Sequence, residues 1–386
     1  MTPAAHKALW DDAREYATRH PVDSATPAWD IPTWVRTSGQ VFGDQTQHET
    51  ATHLRNDLYG AGPLQQFLDD PTVTDVLVHG DRLWVDQGHG PQEIAQSPLG
   101  QGQSREWAVR LAARAGTRLD DAHPITDAQL PDGSRFHAVL SPVSDADATM
   151  SIRVFRTRHA TLHDLTRTGM IPRQWARACA QAVTHRASLL ISGGTGAGKT
   201  TLLSALLSHV PHTERIITLE DSREIATNHP HVVALQAKPA NVEGAGAVTL
   251  SNLVHASLRM RPDRLMLGEC RGPEVRDLLM AFNTGHSGGA ATIHANSVTD
   301  VPARLIALGA LAGMDPVTTS LQAVSAVNAI VHVARTPAGH RYIKEWGVLR
   351  VGHDSLLTVA PFARWDGDTT PKDVPLPAGV ERPAWW

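Results

Sequence analysis

The octapeptide Gly193-Gly194-Thr195-Gly196-Ala197-Gly198-Lys199-Thr200 constrains this chain more than any other stretch. It fits the pattern Gly-x4-Gly-Lys-[Ser/Thr]. An apolar run, Ser188-Leu189-Leu190-Ile191, precedes it, and a helical pattern over Thr201–Leu207 follows. A strand, a glycine loop and a helix in that order form a phosphate cradle. Glycines let backbone N–H groups approach phosphate oxygens with no Cβ in the way. The start of the following helix adds partial positive charge. In such a loop Lys199 reaches the β- and γ-phosphates of ATP, the Thr200 hydroxyl holds Mg²⁺, and the backbone from Gly193 to Thr201 lines the nucleotide.

The chain has 386 residues, which suggests two or three domains. Its formal net charge of −4 gives no global attraction to nucleic acid. The only lysines are Lys7, Lys199, Lys238, Lys344 and Lys372, so a lysine inside the glycine loop stands out. Two cysteines, Cys179 and Cys270, with no Cys-x-x-Cys spacing, support neither a zinc ribbon nor a disulfide framework and suit a reducing compartment. Met1–Lys7 lacks the apolar stretch of a signal peptide. No run of about 18 apolar residues occurs, so no membrane span is expected. The chain reads as cytoplasmic, able to work at a membrane through a partner.

Strands alternating with helices after residue 170 imply a parallel sheet. Residues 1–50 carry Pro21, Pro27 and Pro32, and read as a short helical arm around Ala8–Tyr16 followed by a loose linker. Residues 51–155 read as a smaller α/β domain. It has strands over Thr72–Val78, Leu83–Val85 and Ser151–Phe155, a helix over Arg105–Ala115, and a turn at Pro131-Asp132-Gly133-Ser134. A polar linker spans 156–170. Residues 171–335 form the glycine-loop domain, with a helix over Arg173–Ala187 and strands at Ile216–Leu219 and Leu265–Leu267. Residues 336–386 show no clear period and read as a small appendage or a partly disordered tail.

Four clusters could add chemistry to the loop. The strand Ile216–Leu219 ends in Glu220-Asp221-Ser222-Arg223-Glu224. Ligands of α/β sheets bind at carboxyl ends of strands, so these acids face the phosphates, where one can activate water. Asp263–Leu267 is a strand that ends in Gly268-Glu269, at the position where an acid holds Mg²⁺; a Walker B strand usually ends in Asp where Gly268 stands. Asn283–Asn296 carries His286 and His294 in a Gly- and Thr-rich setting suited to sensing a phosphate. Arg135 and Arg153 stand at ends of first-domain strands and can act as arginine fingers or simply be solvated. The basic run Arg259–Arg264 lacks interleaved aromatics, and a structural or intersubunit role fits it better than nucleic-acid binding.

Together these residues resemble the secretion-ATPase superfamily, the motors of type II and type IV secretion and of type IV pili. The likeness runs from about Leu54 to Arg335 and is nearest to the type IV secretion and Tad/Flp pilus branch, including conjugal-transfer-associated ATPases of actinobacteria. Gly193–Thr201 resembles the Walker A segment and Leu219–Ile225 the Asp box. Asn241–Gly244 with Leu258–Asp263 and Gly268–Gly272 resembles the Walker B region, and Asn283–Asn296 the His box. Cys270 and Gly289 depart from the usual pattern, an apolar or β-branched residue and a serine respectively. The resemblance implies a RecA-like ATPase domain behind a smaller α/β domain. It implies nucleotide between the two domains, a homohexameric ring, and docking on an inner-membrane platform protein. It assigns Glu224 to water activation with Glu220 and Asp221 in support, Glu269 to Walker B, His294 and His286 to γ-phosphate sensing, and Arg135 and Arg153 to the nucleotide. Rival readings are a RecA-like nucleic-acid translocase, a small-molecule kinase, and a nucleotide-binding scaffold without turnover.

Overall fold

The computed structural model describes residues 3–19, 30–38, 43–100, 102–154, 159–238 and 245–386. The chain divides into two compact units, residues 1–155 and 156–386. The first unit carries strands β1 (Asp75–His79), β2 (Arg82–Asp86), β3 (Pro91–Glu93), β4 (Ile125–Gln129), β5 (Arg135–Leu140) and β6 (Ala148–Arg153). They form one antiparallel sheet in the order β3-β2-β1-β6-β5-β4. Alternate residues such as Val76, Val78, Phe136, Ala138, Met150 and Ile152 enter one core, the half-buried pattern expected of an antiparallel sheet covered on one face. The helix Gln103–Arg114 covers that face with Trp107, Ala108, Leu111 and Ala112. Phe155, the expected end of the last strand, lies outside the described residues.

The N-terminal segment differs from the arm and loose linker that its prolines suggest. Helices Pro3–Arg19, Ile31–Thr37 and Asp44–Tyr59 close around Leu9, Ala13, Ile31, Val35, Ala51 and Leu54. Pro32 does not break its helix because it stands in the first turn, where no intrahelical N–H bond is lost. Asp30 caps that turn by accepting the Thr33 N–H at 3.1 Å. The positions of Pro21 and Pro27 lie outside the described residues.

The second unit carries β7 (Leu189–Gly193), β8 (Ile216–Glu220), β9 (Val232–Gln236), β10 (Arg264–Cys270), β11 (Ala290–His294), β12 (Ala329–Arg335), β13 (Arg341–Val351), β14 (Leu357–Arg364) and β15 (Lys372–Asp373). Their order is β15-β14-β13-β12-β7-β11-β10-β8-β9. The strands from β12 to β9 run parallel; β13, β14 and β15 are added antiparallel. The inner strands are buried on both faces: Leu189 and Ile191 enter one core, Leu190 and Ile330 the other. This is why β7 reads as a continuous apolar run rather than an alternating one.

Residues 336–386 are therefore not an appendage. They supply three strands of the main sheet, and their aromatic side chains complete its first core. Trp346 is fully buried and meets Trp175, Trp385, Trp386 and Phe362 with ring centroids 5.2–6.4 Å apart. Trp365 reaches Trp175 edge-on at 6.2 Å. Such tilted aromatic contacts add about 0.5–1.5 kcal/mol per pair beyond area burial. The Trp346 indole N–H is buried with no hydrogen-bond partner. Trp346→Ala should destabilise the second unit by about 3–5 kcal/mol. Trp346→Phe should cost clearly less, because it keeps an aromatic ring and removes the orphaned donor. Shifts in denaturation midpoint measured for the two variants check this order, and equal losses would contradict it.

Candidate nucleotide site

The glycine loop leaves β7 and enters the helix Lys199–Leu207, whose start has no side-chain cap. Its first-turn N–H groups point out of the helix by geometry and remain open to an anion. Gly196 and Gly198 hold φ of +68° and +98°, and Gly193 has no room for a Cβ, which would lie 2.4 Å from the Val333 carbonyl oxygen. The Lys199 ammonium is buried and donates to the carbonyl oxygens of Gly193 at 3.0 Å and Gly194 at 2.9 Å. Desolvation lowers its pKa, opposed by Glu269 and Glu224. A cation held mainly by neutral carbonyls in a buried cradle suits a phosphate.

The neighbouring strands bring the expected acids and one histidine to this edge. In register, Gly193 of β7 sits beside His294 of β11. His294 Nε2 lies 2.9 Å from Glu269 Oε1 and 3.2 Å from Lys199 Nζ. One ring nitrogen serves only one of these at a time, accepting from Lys199 when bare or donating to Glu269 when protonated. Burial and then Lys199 lower the His294 pKa, while Glu269 raises it. Thr200 Oγ1 donates to Glu224 Oε2 at 3.2 Å, so the loop hydroxyl and the Asp-box carboxylate already share one corner. Thr200 and Glu224 here, and Glu269 against His294, supply hard oxygens of the kind Mg²⁺ takes.

Glu220 has a different place. Its carboxylate is buried and accepts the N–H groups of Glu224 and Ile225, both at 2.8 Å. Burial pushes its pKa up to about 7, against the pull of those two N–H groups. It shapes the turn that presents Glu224. Asp221 pairs with Arg271 at 2.6 Å. The glycine at the Walker B position is explained by Glu220 as well. A Cβ on Gly268 would lie 2.8 Å from Glu220 Cγ, so the strand cannot carry Asp there while Glu220 fills the space. Gly289 is equally constrained, since a Cβ would meet Phe282 at 2.3 Å and the Leu265 carbonyl at 2.5 Å.

His286 is not brought to this cluster. It precedes β11, whereas His294 ends it, and β11 runs parallel to β7. The two histidines therefore stand at opposite ends of the strand, on the order of 15 Å apart along it. Arg135 and Arg153 lie in the first unit, paired in register across β5 and β6, both exposed. Arg153 Nε is 3.0 Å from Asp75 Oδ1. In the basic run, Arg264 is buried, bonded to Glu214 and to the carbonyls of Val183 and Gly288, which is a structural role. The Asn241–Gly244 part of the Walker B resemblance lies outside the described residues. Among those residues, no group of three or more His, Cys, Asp or Glu side chains forms a metal cluster.

Two groups on β12 and β13 escape sequence reasoning. His332 is buried beneath the loop, 2.9 Å from Ser192 Oγ, with its pKa lowered to about 4 chiefly by burial. Arg341 Nε donates to the Gly196 carbonyl oxygen at 2.9 Å. The sequence shows the Pro337-Ala338-Gly339 turn beside Arg341 but not the pairing that carries it to the loop.

A parallel RecA-like sheet with a phosphate loop and acids at its carboxyl edge defines an ATPase of the P-loop class. Residues 57–342 match the family described as Type II/IV secretion system protein. A putative conjugal transfer protein of Mycobacterium tuberculosis is 48% identical over 326 residues, spanning 83% of this chain and 93% of that protein. A probable conjugal transfer protein, TrbB, of Sinorhizobium fredii is 34% identical over 281 residues, spanning 71% and 82%. The fold is shared with the Legionella pneumophila ATPase DotB, with a TM-score of 0.51, 18% identity and coverage of 76% and 77%. The chain belongs to the type II/IV secretion system protein family and is a secretion ATPase of that family.

Gly268→Ala tests the packing of this site. Overpacking should cost about 1–3 kcal/mol. Displacing Glu220 should also misplace Glu224 and lower turnover, on the order of 10²-fold for a shift near 1 Å. ATPase assays and denaturation of the variant check both, and wild-type turnover would show that Glu220 does not set the position of Glu224.

Proposed function

We propose that the chain is the ATP-driven motor of a type IV secretion or conjugal-transfer system, with Tad pilus assembly a related use of the same machine. The observation that carries the site assignment is the convergence of Lys199, Thr200, Glu224, Glu269 and His294 at the carboxyl edge of one parallel sheet. In this reading the loop from Gly193 to Thr201 binds the phosphates, with Lys199 giving up its carbonyl partners to them. Glu224 orients and deprotonates the attacking water. Glu220 holds Glu224. His294 exchanges partners when Lys199 turns to phosphate. Thr200 and Glu269 would hold Mg²⁺, which supplies charge neutralisation between the β- and γ-phosphates. Arg135 and Arg153 are assigned to the γ-phosphate, where they stabilise developing charge.

The names of the mycobacterial and rhizobial relatives, together with the family, support conjugal or secretory transport as the work performed. The chain is assigned to a homohexameric ring at the inner face of the cytoplasmic membrane, docked on a platform protein. No helix among the described residues is long and apolar enough to cross a membrane. The net charge of −4 disfavours the nucleic-acid translocase.

Lys199→Ala should abolish hydrolysis and weaken nucleotide binding, whereas Glu224→Gln should keep ATP bound while turnover falls by roughly 10²-fold or more. Normal turnover in Glu224→Gln would remove it from the chemistry. The ring is checked separately by light scattering with a non-hydrolysable ATP analogue. A mass near six chains is expected, and a fully active monomer under all nucleotide conditions would favour the kinase reading.

A further inference from the structure

We infer that Arg341 is a positioning residue for the nucleotide, a clamp that fixes the crown of the phosphate loop from the C-terminal part of the chain. The reasoning starts from strand direction. β12 pairs parallel with β7, with Val333 opposite Gly193. Both strands therefore end at the same edge of the sheet. The turn between β12 and β13 must emerge beside the phosphate loop, and Arg335 and Arg341 face each other across it in register. From there Arg341 Nε donates to the Gly196 carbonyl oxygen at 2.9 Å. Its stem packs on the next glycine, since a Cβ on Gly198 would lie 3.4 Å from Arg341 Cδ and 3.0 Å from Met170 Cε.

The consequence follows from peptide geometry. In a trans peptide the C=O of Gly196 and the N–H of Ala197 point in opposite directions. Holding the carbonyl outward holds that N–H on the inner side of the loop, where it meets the Gly194 carbonyl oxygen at 3.4 Å until a phosphate takes its place. Gly196, at a positive φ, precedes this peptide and turns easily, and the other bond on it is a long one from the Ala197 N–H to the Gly194 carbonyl oxygen at 3.4 Å, so the shorter Arg341 bond is its main restraint. The clamp is itself anchored. Ile343 N donates to the Met170 carbonyl at 2.9 Å, and Trp346, three residues on, is locked in the aromatic core. A group that preorganises the loop acts on ADP and ATP alike, and so on affinity rather than on the chemical step.

This inference rests on the phosphate-loop assignment, and the test separates the two. Gln places an N–H donor at the same side-chain position as Arg Nε, without the charge. Lys keeps the charge but shifts the donor one bond further out. Met keeps an apolar stem and has no donor. Dissociation constants for ADP and a non-hydrolysable ATP analogue, with kcat and KM, are measured on the full chain. Arg341→Met should weaken both nucleotides by about tenfold, the scale of one charged hydrogen bond, and raise KM while kcat at saturation stays within about twofold. Arg341→Gln should recover most of the affinity and Arg341→Lys less. Wild-type affinity in Arg341→Met overturns the inference. Recovery in Arg341→Lys but not in Arg341→Gln also overturns it, making Arg341 a charge contact. If Lys199→Ala leaves binding intact, it is the phosphate-loop assignment that fails.

Discussion

Strand β7 lies between two parallel neighbours, β11 on one side and β12 on the other, and the placement of the whole site follows from that pairing. Because all three strands run the same way, whatever follows each of them gathers at one edge. The phosphate loop follows β7, His294 ends β11, and the turn to β13 follows β12. One strand further, Glu269 stands near the end of β10, and Glu220 ends β8 beyond it. Antiparallel pairing at any of these steps would send one of the groups to the far edge. The hydrophobic effect sets this arrangement, since β7 and β8 are buried along their full length and leave only strand ends for polar chemistry.

Within that edge the charges are arranged so that no single pairing is final. Lys199 is bonded to neutral carbonyls, exchangeable for a phosphate at little net loss. His294 Nε2 stands between a cation and a carboxylate, close to both. Glu220, by contrast, is fixed. It gives its lone pairs to two backbone N–H groups and is walled in by Gly268, so its part is to hold a shape. The two carboxylates of one short motif, four residues apart, thus differ in burial and in task, and composition alone does not separate them.

Local signals were legible in the sequence and long-range pairings were not. The phosphate loop needs only its own glycines, lysine and flanking elements, and its strand, loop and helix stand where the pattern places them. The Asp box and Glu269 were legible as acids at strand ends. Gly268 was legible only as a departure, because its cause is a side chain on a neighbouring strand. His286 and His294 look equivalent in a Gly-rich segment, and the direction of β11 relative to β7 is what divides them. The N-terminal segment was misread because a proline inside a first turn and a proline that ends a helix look alike without the cap, here Asp30.

The C-terminal stretch was the largest loss to sequence reasoning, and its physics explains why. β13 has no clean alternation: Glu345, Trp346 and Gly347 are buried in succession next to a register shift against β12, where Lys344 is the extra residue between Ile343 and Glu345. A bulge of this kind erases the period of two on which strand recognition depends. Yet the stretch is rich in tryptophan, and large aromatic side chains gain most when several of them share one core. Trp346, Trp365, Trp385 and Trp386 do so with Trp175, which lies on the helix Arg173–Thr184 ahead of the phosphate loop. The same packing that covers one face of the sheet therefore also fixes β13 next to β12. A guanidinium at its first residue can then reach the Gly196 carbonyl from a strand nearly a hundred and fifty residues further along the chain.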